Sequence, residues 1–332
     1  MRYLRIVIAA VFVFSVTFGS NSARAAEKID FILNWIAGGD HAPYYYALQE
    51  GWYAEAGIEL DIQQGKGSGM SAQRTGIGKT QVGLADLGTA LVARGKGADL
   101  VAVMNIYANS PYGMYWLKDS GIKDLKDMAG KKIGNPSWDA ARQMWPALAK
   151  SVGMDPKSVT WVNIQPNAKL PALISRDIDI TTSFYNIHHI FQAKLGDNMG
   201  FFPWKEYGVN PYGNSIIVNG SYLKKNPDVI KAFVRVNQKA FHTCVLTPDP
   251  CIQALVSANT GLKFDNEKQN WGLVTELMTD EYSTGVALGY FDPGRMDDDY
   301  KLIETYFKLK EPFDIKTVYT NDMLDRNIKM KK

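Results

Sequence analysis

The chain is poor in the residues that build metal and redox centres. It carries 2 cysteines and 4 histidines in 332 residues. Cys244 and Cys251 have only His242 near them, and a closed zinc site takes four ligands. His188 and His189 are adjacent, so on a helix they point about 100° apart and do not chelate together. No metal is expected. No P-loop and no Ser-His-Asp arrangement occurs, so no catalytic residue and no cofactor is assigned, and the chain is not expected to be an enzyme. The small basic groups, such as Lys329, Lys331 and Lys332, sit at a terminus. No clustered Lys/Arg face suggests nucleic acid. Beyond the first residues, no apolar run approaches the roughly 20 residues of a spanning helix.

What the chain does have begins at its start. Arg2 and Arg5 precede an apolar run from Ile6 to Phe18, and Ala23-Arg24-Ala25 follows. Basic, apolar and small-x-small segments in that order predict a secretory signal over residues 1–25, cleaved after Ala25. No cysteine follows the apolar run, which favours a free periplasmic protein over a lipid-anchored one. Cleavage removes Arg2, Arg5 and Arg24 and no acid. The 37 basic residues of the whole chain then fall to 34, equal to the 34 acidic ones. The remaining length exceeds what one core usually supports, so two domains are expected. In an oxidising compartment Cys244 and Cys251, with Pro248 and Pro250 between them, could close a short loop as a disulfide. Free thiols are the alternative.

Strand-like and helix-like segments alternate along the chain, which predicts an α/β architecture with open sheets. Strands are expected at Ile29–Leu33, Ile58–Ile62, Val82–Ala85 and Leu100–Ile106. Further strands are expected at Lys132-Ile133, Val159–Asn163, Ile178–Thr182 and Ser215–Val218. One helix is expected over Pro43–Ala54, another from near Ser71, and a third over Trp138–Val152. Ser137 or Asn135 could cap that third helix, and Pro146 should kink it. After Pro227 the pattern is mainly helical.

Some of these residues carry a family likeness. Asn34-Trp35, His41-Ala42-Pro43-Tyr44-Tyr45, Gly51-Trp52-Tyr53 and Gly57-Ile58 resemble the start of the thiamine-pyrimidine-precursor binding proteins. That class groups with sulfonate, taurine and nitrate binders and includes a fungal enzyme that makes the thiamine pyrimidine. The likeness continues through Gly83-Leu84-Ala85-Asp86, Leu125 to Gly134 and Asp177-Ile178-Asp179-Ile180. It implies a two-lobed type II periplasmic-binding-protein fold with a ligand cleft between the lobes, and the order of elements predicts two hinge crossovers, near Gly113–Leu117 and Gly213–Val218. Lobe 1 is expected over 26–113 and 214–332, and lobe 2 over 114–213. The resemblance also implies a monomer serving an ABC transporter permease in the inner membrane, with a small-molecule solute and no nucleic acid.

Ligands of open α/β sheets bind beyond the carboxyl ends of strands. Trp35 follows the first strand, and by the resemblance it sandwiches a pyrimidine ring with a tyrosine. A tryptophan packed between strand and helix is the alternative. Asn34 and His41 are its polar neighbours, although His41 could simply bond at a helix start. Tyr44, Tyr45 and Tyr46 cannot all point one way. One is expected at the cleft, with Tyr44 the candidate. Asp86 could accept from a ring amine or cap a helix. Tyr107 and Asn109 follow the Leu100 strand. Asn135, Ser137, Trp138 and Asp139 sit at a strand-to-helix turn. Tyr185, Asn186 and His188 should face them.

At Asn186-Ile187-His188-His189 the chain departs from the resemblance, which places a Glu shortly after the Asn to pair with a ring amine. Formylaminopyrimidine remains the expected type of solute. The departure leaves room for a flavin-like ligand, an aromatic acid or a sulfonate. An enzyme like the fungal synthase is a second reading of the function, and it would need that enzyme's cysteine-rich cluster; a ligand-sensing partner of a membrane receptor is a third.

Overall fold

The computed structural model describes residues 26–331; the leader expected over residues 1–25, and Lys332, lie outside the described residues. Ten strands are present among the described residues. They are β1 Glu27–Ile32, β2 Ile58–Gln63, β3 Val82–Asp86, β4 Leu100–Asn105 and β5 Tyr112–Leu117, then β6 Lys132–Gly134, β7 Thr160–Val162, β8 Ile180–Phe184, β9 Met199–Pro203 and β10 Asn214–Asn219. They form two five-stranded sheets, ordered β2-β1-β3-β10-β4 and β7-β6-β8-β5-β9.

The sheets share one plan. In the first, β1 runs parallel to β2 and β3, and β10 runs antiparallel to β3 and β4. In the second, β6 runs parallel to β7 and β8, and β5 runs antiparallel to β8 and β9. The chain crosses from β4 to β5 through residues 106–111 and returns from β9 to β10 through 204–213. Each antiparallel strand is thus one that has just crossed from the other sheet. Helices cover the faces, so β3, β5 and β10 are buried along their whole length. This is why they read as apolar runs rather than alternating ones.

Several expectations need correction. The helix expected over Pro43–Ala54 is two, Ala42–Gln49 and Trp52–Glu55. Between them Gly51 adopts a φ of 74°, a left-handed turn that glycine takes without a Cβ penalty. The helix expected near Ser71 starts at Ser68. The helix expected from Trp138 starts at Ala140, and its cap is Asp139 rather than Ser137 or Asn135. Asp139 accepts from Ala141 N–H at 2.9 Å and Arg142 N–H at 3.3 Å, so the carboxylate two residues later outcompetes the earlier polar side chains. Pro146 lies inside this helix. Strand β9 is not anticipated, being a short edge strand that ends at Pro203. Gly200 within it leaves room for the Trp116 indole, which any Cβ there would hit.

Cys244 and Cys251 are disulfide-bonded, with Cα atoms 5.8 Å apart. The bond ties helix Pro227–Leu246 to helix Pro248–Ala258. Among the described residues no helix is long and apolar enough to cross a membrane.

Candidate functional site

A cavity of about 350 Å³ lies between the sheets, beyond the carboxyl ends of β1 and β8. Five stretches form most of its wall. The chain leaving β1 supplies Asn34 through Gly38 and Asp40. The start of helix Ala140–Ser151 supplies Asp139. The turn before helix Lys169–Ile174 supplies Pro166, Asn167 and Lys169. The end of β8 supplies Phe184, Asn186 and Ile187, and helix Phe264–Met278 supplies Asn266, Glu267 and Asn270.

Trp35 is half-buried on this wall. The Lys169 ammonium lies 4.6 Å from its ring centroid, within cation–π range. The same ammonium pairs with the Asp139 carboxylate and donates to the Thr182 carbonyl at 3.0 Å. Lys169 is 5% and Asp139 5% exposed, so this is a buried ion pair with most of its donors used.

Asn34 is positioned from behind. Its amide donates to Asn214 Oδ1 at 3.2 Å, and its Oδ1 faces His41 Nε2 at 2.9 Å. The Gly38 N–H donates to His41 Nδ1 at 3.1 Å, which fits a neutral ring donating through Nε2 to Asn34. Burial pulls the His41 pKa down, against the upward pull of Asp40. Asp40 accepts the Tyr107 hydroxyl at 3.1 Å. Opposite, Glu267 accepts the Gly39 N–H at 2.6 Å and the Asn266 amide at 2.8 Å. Burial pushes the Glu267 carboxyl up, and nearby Asp40 adds to the rise.

Of the residues read from sequence, Asn34, Trp35, Asp139 and Asn186 line the cavity together. His41 and Tyr107 stand one layer behind, bonded to Asn34 and Asp40. The others lie elsewhere. Tyr44 is fully buried, edge-on to Phe31 at 4.9 Å and Phe241 at 5.2 Å. It is a core residue, because the first turn of its helix faces the sheet. Neither Tyr45 nor Tyr46 reaches the cavity wall. Asp86 caps helix Leu87–Arg94 by accepting from Thr89 N–H at 2.8 Å. Asn109 donates to the carbonyls of Leu277 at 3.3 Å and Thr279 at 3.0 Å, tying the first crossing to a helix end. Asn135 is buried against Thr181 and Thr182. Ser137 and Trp138 are exposed beyond the rim. The Tyr185 ring lies tilted against His188, centroids 5.0 Å apart, and His188 bonds the Tyr115 hydroxyl at 3.1 Å. Burial lowers the His188 pKa, and neighbouring His189 lowers it further.

Sequence reasoning missed Asp40, Lys169, Glu267 and Asn270. The last two stand at i and i+3 on a helix, a spacing that puts them on one face but is equally that of a solvated face.

The two halves also touch around the cavity. Asn186 donates to Asn270 Oδ1 at 3.3 Å, and His189 meets Asn266 at 3.2 Å. On the other side Gly69 N–H donates to the Trp138 carbonyl at 3.1 Å. Among the described residues no cluster of three His, Cys, Asp or Glu could hold a metal.

Comparison with known proteins places these features. The family model described as NMT1/THI5 like matches residues 39–250. A formylaminopyrimidine-binding protein of Halalkalibacterium halodurans is 21% identical over 283 residues, covering 83% of this chain and 86% of that one. A 4-amino-5-hydroxymethyl-2-methylpyrimidine phosphate synthase of Legionella pneumophila is 24% identical, covering 90% of this chain and 92% of its own. Among solved structures, the alkanesulfonate-binding protein SsuA of Xanthomonas axonopodis pv. citri, bound to MOPS, superposes with a TM-score of 0.67. It is 11% identical and covers 89% of this chain and 98% of that one. That likeness shows the fold, a two-lobed periplasmic-binding-protein fold.

Proposed function

The chain belongs to the NMT1/THI5-like family, and from that premise we propose that it is the solute-binding component of an ABC importer. It works in the periplasm as a monomer once residues 1–25 are removed, and it hands its solute to a permease in the inner membrane. The lobes comprise 26–113 with 214–332, and 114–213. They close on a small aromatic or heterocyclic solute, best a thiamine pyrimidine precursor such as formylaminopyrimidine.

One observation carries this reading. A tryptophan face is left half-uncovered on the wall of a cavity of about 350 Å³, surrounded by a few placed polar groups. Apolar walls with a small number of oriented donors and acceptors suit a small planar molecule. The name of the Halalkalibacterium relative points to the same class of solute. Binding without turnover is favoured over synthesis because both cysteines are joined in a disulfide. They offer no cysteine-rich reactive cluster.

Native mass spectrometry of the purified protein tests the solute class. An aromatic heterocycle of pyrimidine size should co-purify unchanged, whereas a chemically altered product would favour a synthase. Trp35→Ala should weaken binding of that solute by about 2 kcal/mol if the ring stacks on it. Titration calorimetry with an unchanged affinity would remove Trp35 from the site.

A further inference from the structure

Three carboxylates line the cavity, Asp40, Asp139 and Glu267, against one cation, Lys169. Lys169 is already committed to Asp139. Among the described residues no lysine or arginine forms an ion pair with Asp40 or Glu267. The only basic group paired with Asp40 is His41, whose Nδ1 takes the Gly38 N–H. Glu267 is 4% and Asp40 7% exposed. A buried carboxylate without a counter-charge is costly, so the cavity wall itself carries an excess of negative potential.

The two unpaired groups act at one place. A Cβ built on Gly38 would stand 3.3 Å from Asp40 Oδ1 and 3.5 Å from Glu267 Oε2. The two oxygens are therefore at most about 7 Å apart, and Asn270 Nδ2 lies 3.6 Å from the same point. Each Glu267 oxygen accepts one hydrogen bond and retains a second lone pair. One helix start on the cavity wall that would welcome an anion is already filled. Helix N-termini bind anions through free N–H groups, but Asp139 takes the Ala141 and Arg142 N–H groups.

We infer that Glu267, with Asp40 beside it, receives the amino or protonated-nitrogen edge of a planar ligand, and that this pair bars anionic solutes from the cavity. Glu267 lies on helix Phe264–Met278, beyond the matched residues 39–250. The inference rests on the heterocycle reading above and adds the residue that decides which heterocycles enter.

The test is calorimetry of the purified protein with three probes at neutral pH. They are 4-amino-5-hydroxymethyl-2-methylpyrimidine, the same ring without its 4-amino group, and butanesulfonate. The wild type should bind the first, bind the second at least tenfold more weakly, and show no heat with the third. Glu267→Gln should weaken the first at least tenfold and leave the second little changed. Its ligand-free melting temperature should hold or rise, since the amide oxygen still accepts the Gly39 N–H and a buried charge is gone. A purely structural Glu267 would instead lower that temperature, and Asp40→Asn then carries the binding comparison. If both variants bind the aminopyrimidine as the wild type does, this inference falls and the heterocycle reading stands. Tight binding of butanesulfonate overturns the inference. A wild type that binds neither pyrimidine overturns the proposed function and this inference with it.

Discussion

Lys169 joins three parts of the cavity wall through one ammonium. It pairs with Asp139, donates to the Thr182 carbonyl and sits over Trp35. A buried pair of this kind adds little net stability over an apolar pair of the same shape, yet removing one partner leaves the other charge stranded. Lys169→Met should therefore lower the free energy of unfolding by about 3 kcal/mol, measured by urea titration. Adding Asp139→Asn should recover part of that loss. A single variant within 1 kcal/mol of wild type would show that the pair is solvated rather than buried. Sequence makes only half of this pair legible. Asp139 stands at a strand-to-helix turn, where a ligand group is expected. Lys169 opens a helix after Pro166, with nothing in its neighbourhood to set it apart from a solvated lysine. Glu267 is harder still, since its hydrogen-bond partner Gly39 is 228 residues away.

Among the secondary elements, the two crossings and the helix that braces them set how the halves relate. Helix Pro293–Tyr306 holds Asp299, whose carboxylate accepts the Tyr212 N–H at 3.0 Å on the return crossing. Burial pushes the Asp299 carboxyl up to about 8, against the lowering effects of the Tyr212 N–H and Arg295, with Asp86 and Asp298 adding to the rise. Burial likewise pushes Asp86 up to about 6, against its bonds from Thr89. The folded pKa values lie above the unfolded ones, so between them the unfolded chain binds fewer protons. Stability from these groups is therefore present at low pH and lost as pH rises. The Asp86 loss runs from about 4 to about 6 and the Asp299 loss from about 4 to about 8. Asp299→Asn should thus melt progressively higher relative to wild type as pH rises from 4 to 8, followed by calorimetric scans. A difference that stays flat with pH would mean Asp299 is already ionised in the fold. None of this is visible in the sequence: strand periodicity locates β4 and β10, but a crossing has no period. The sequence pattern accordingly places the hinge strands near Gly113–Leu117 and Gly213–Val218. Those stretches are largely β5 and β10, each paired along its length within one sheet.

Two sheets of one plan are joined by two neighbouring stretches of chain, which can hinge only by shifting the core that Ala85 and Ile217 of one sheet share with Met114 and Ile180 of the other. The contacts across the cavity mouth then decide the closed form. On one side they are amide and imidazole pairs, Asn186 with Asn270 and His189 with Asn266. On the other they are backbone contacts, made possible by glycine. Gly67 has a φ of 136°, and a Cβ there would overlap the Trp138 carbonyl. The methyl of Met144 would stand 2.8 Å from a Cβ on Gly88, so that side also closes on a bare backbone. Closure of this kind is the signal a transporter can read from a binding protein, and a ligand supplies it only through contacts that the open form lacks. Gly67→Ala obstructs the closed contact while leaving the cavity wall intact. The backbone strain at that φ adds a cost in both forms, so the comparison must be between free and bound protein. The expected result is a Kd raised about tenfold, equivalent to roughly 1.4 kcal/mol. Ligand should also compact the variant less than the wild type, as measured by small-angle scattering. Wild-type affinity and wild-type compaction in Gly67→Ala would show that the halves meet elsewhere when the solute is bound, and that the Trp138 contact is incidental to capture.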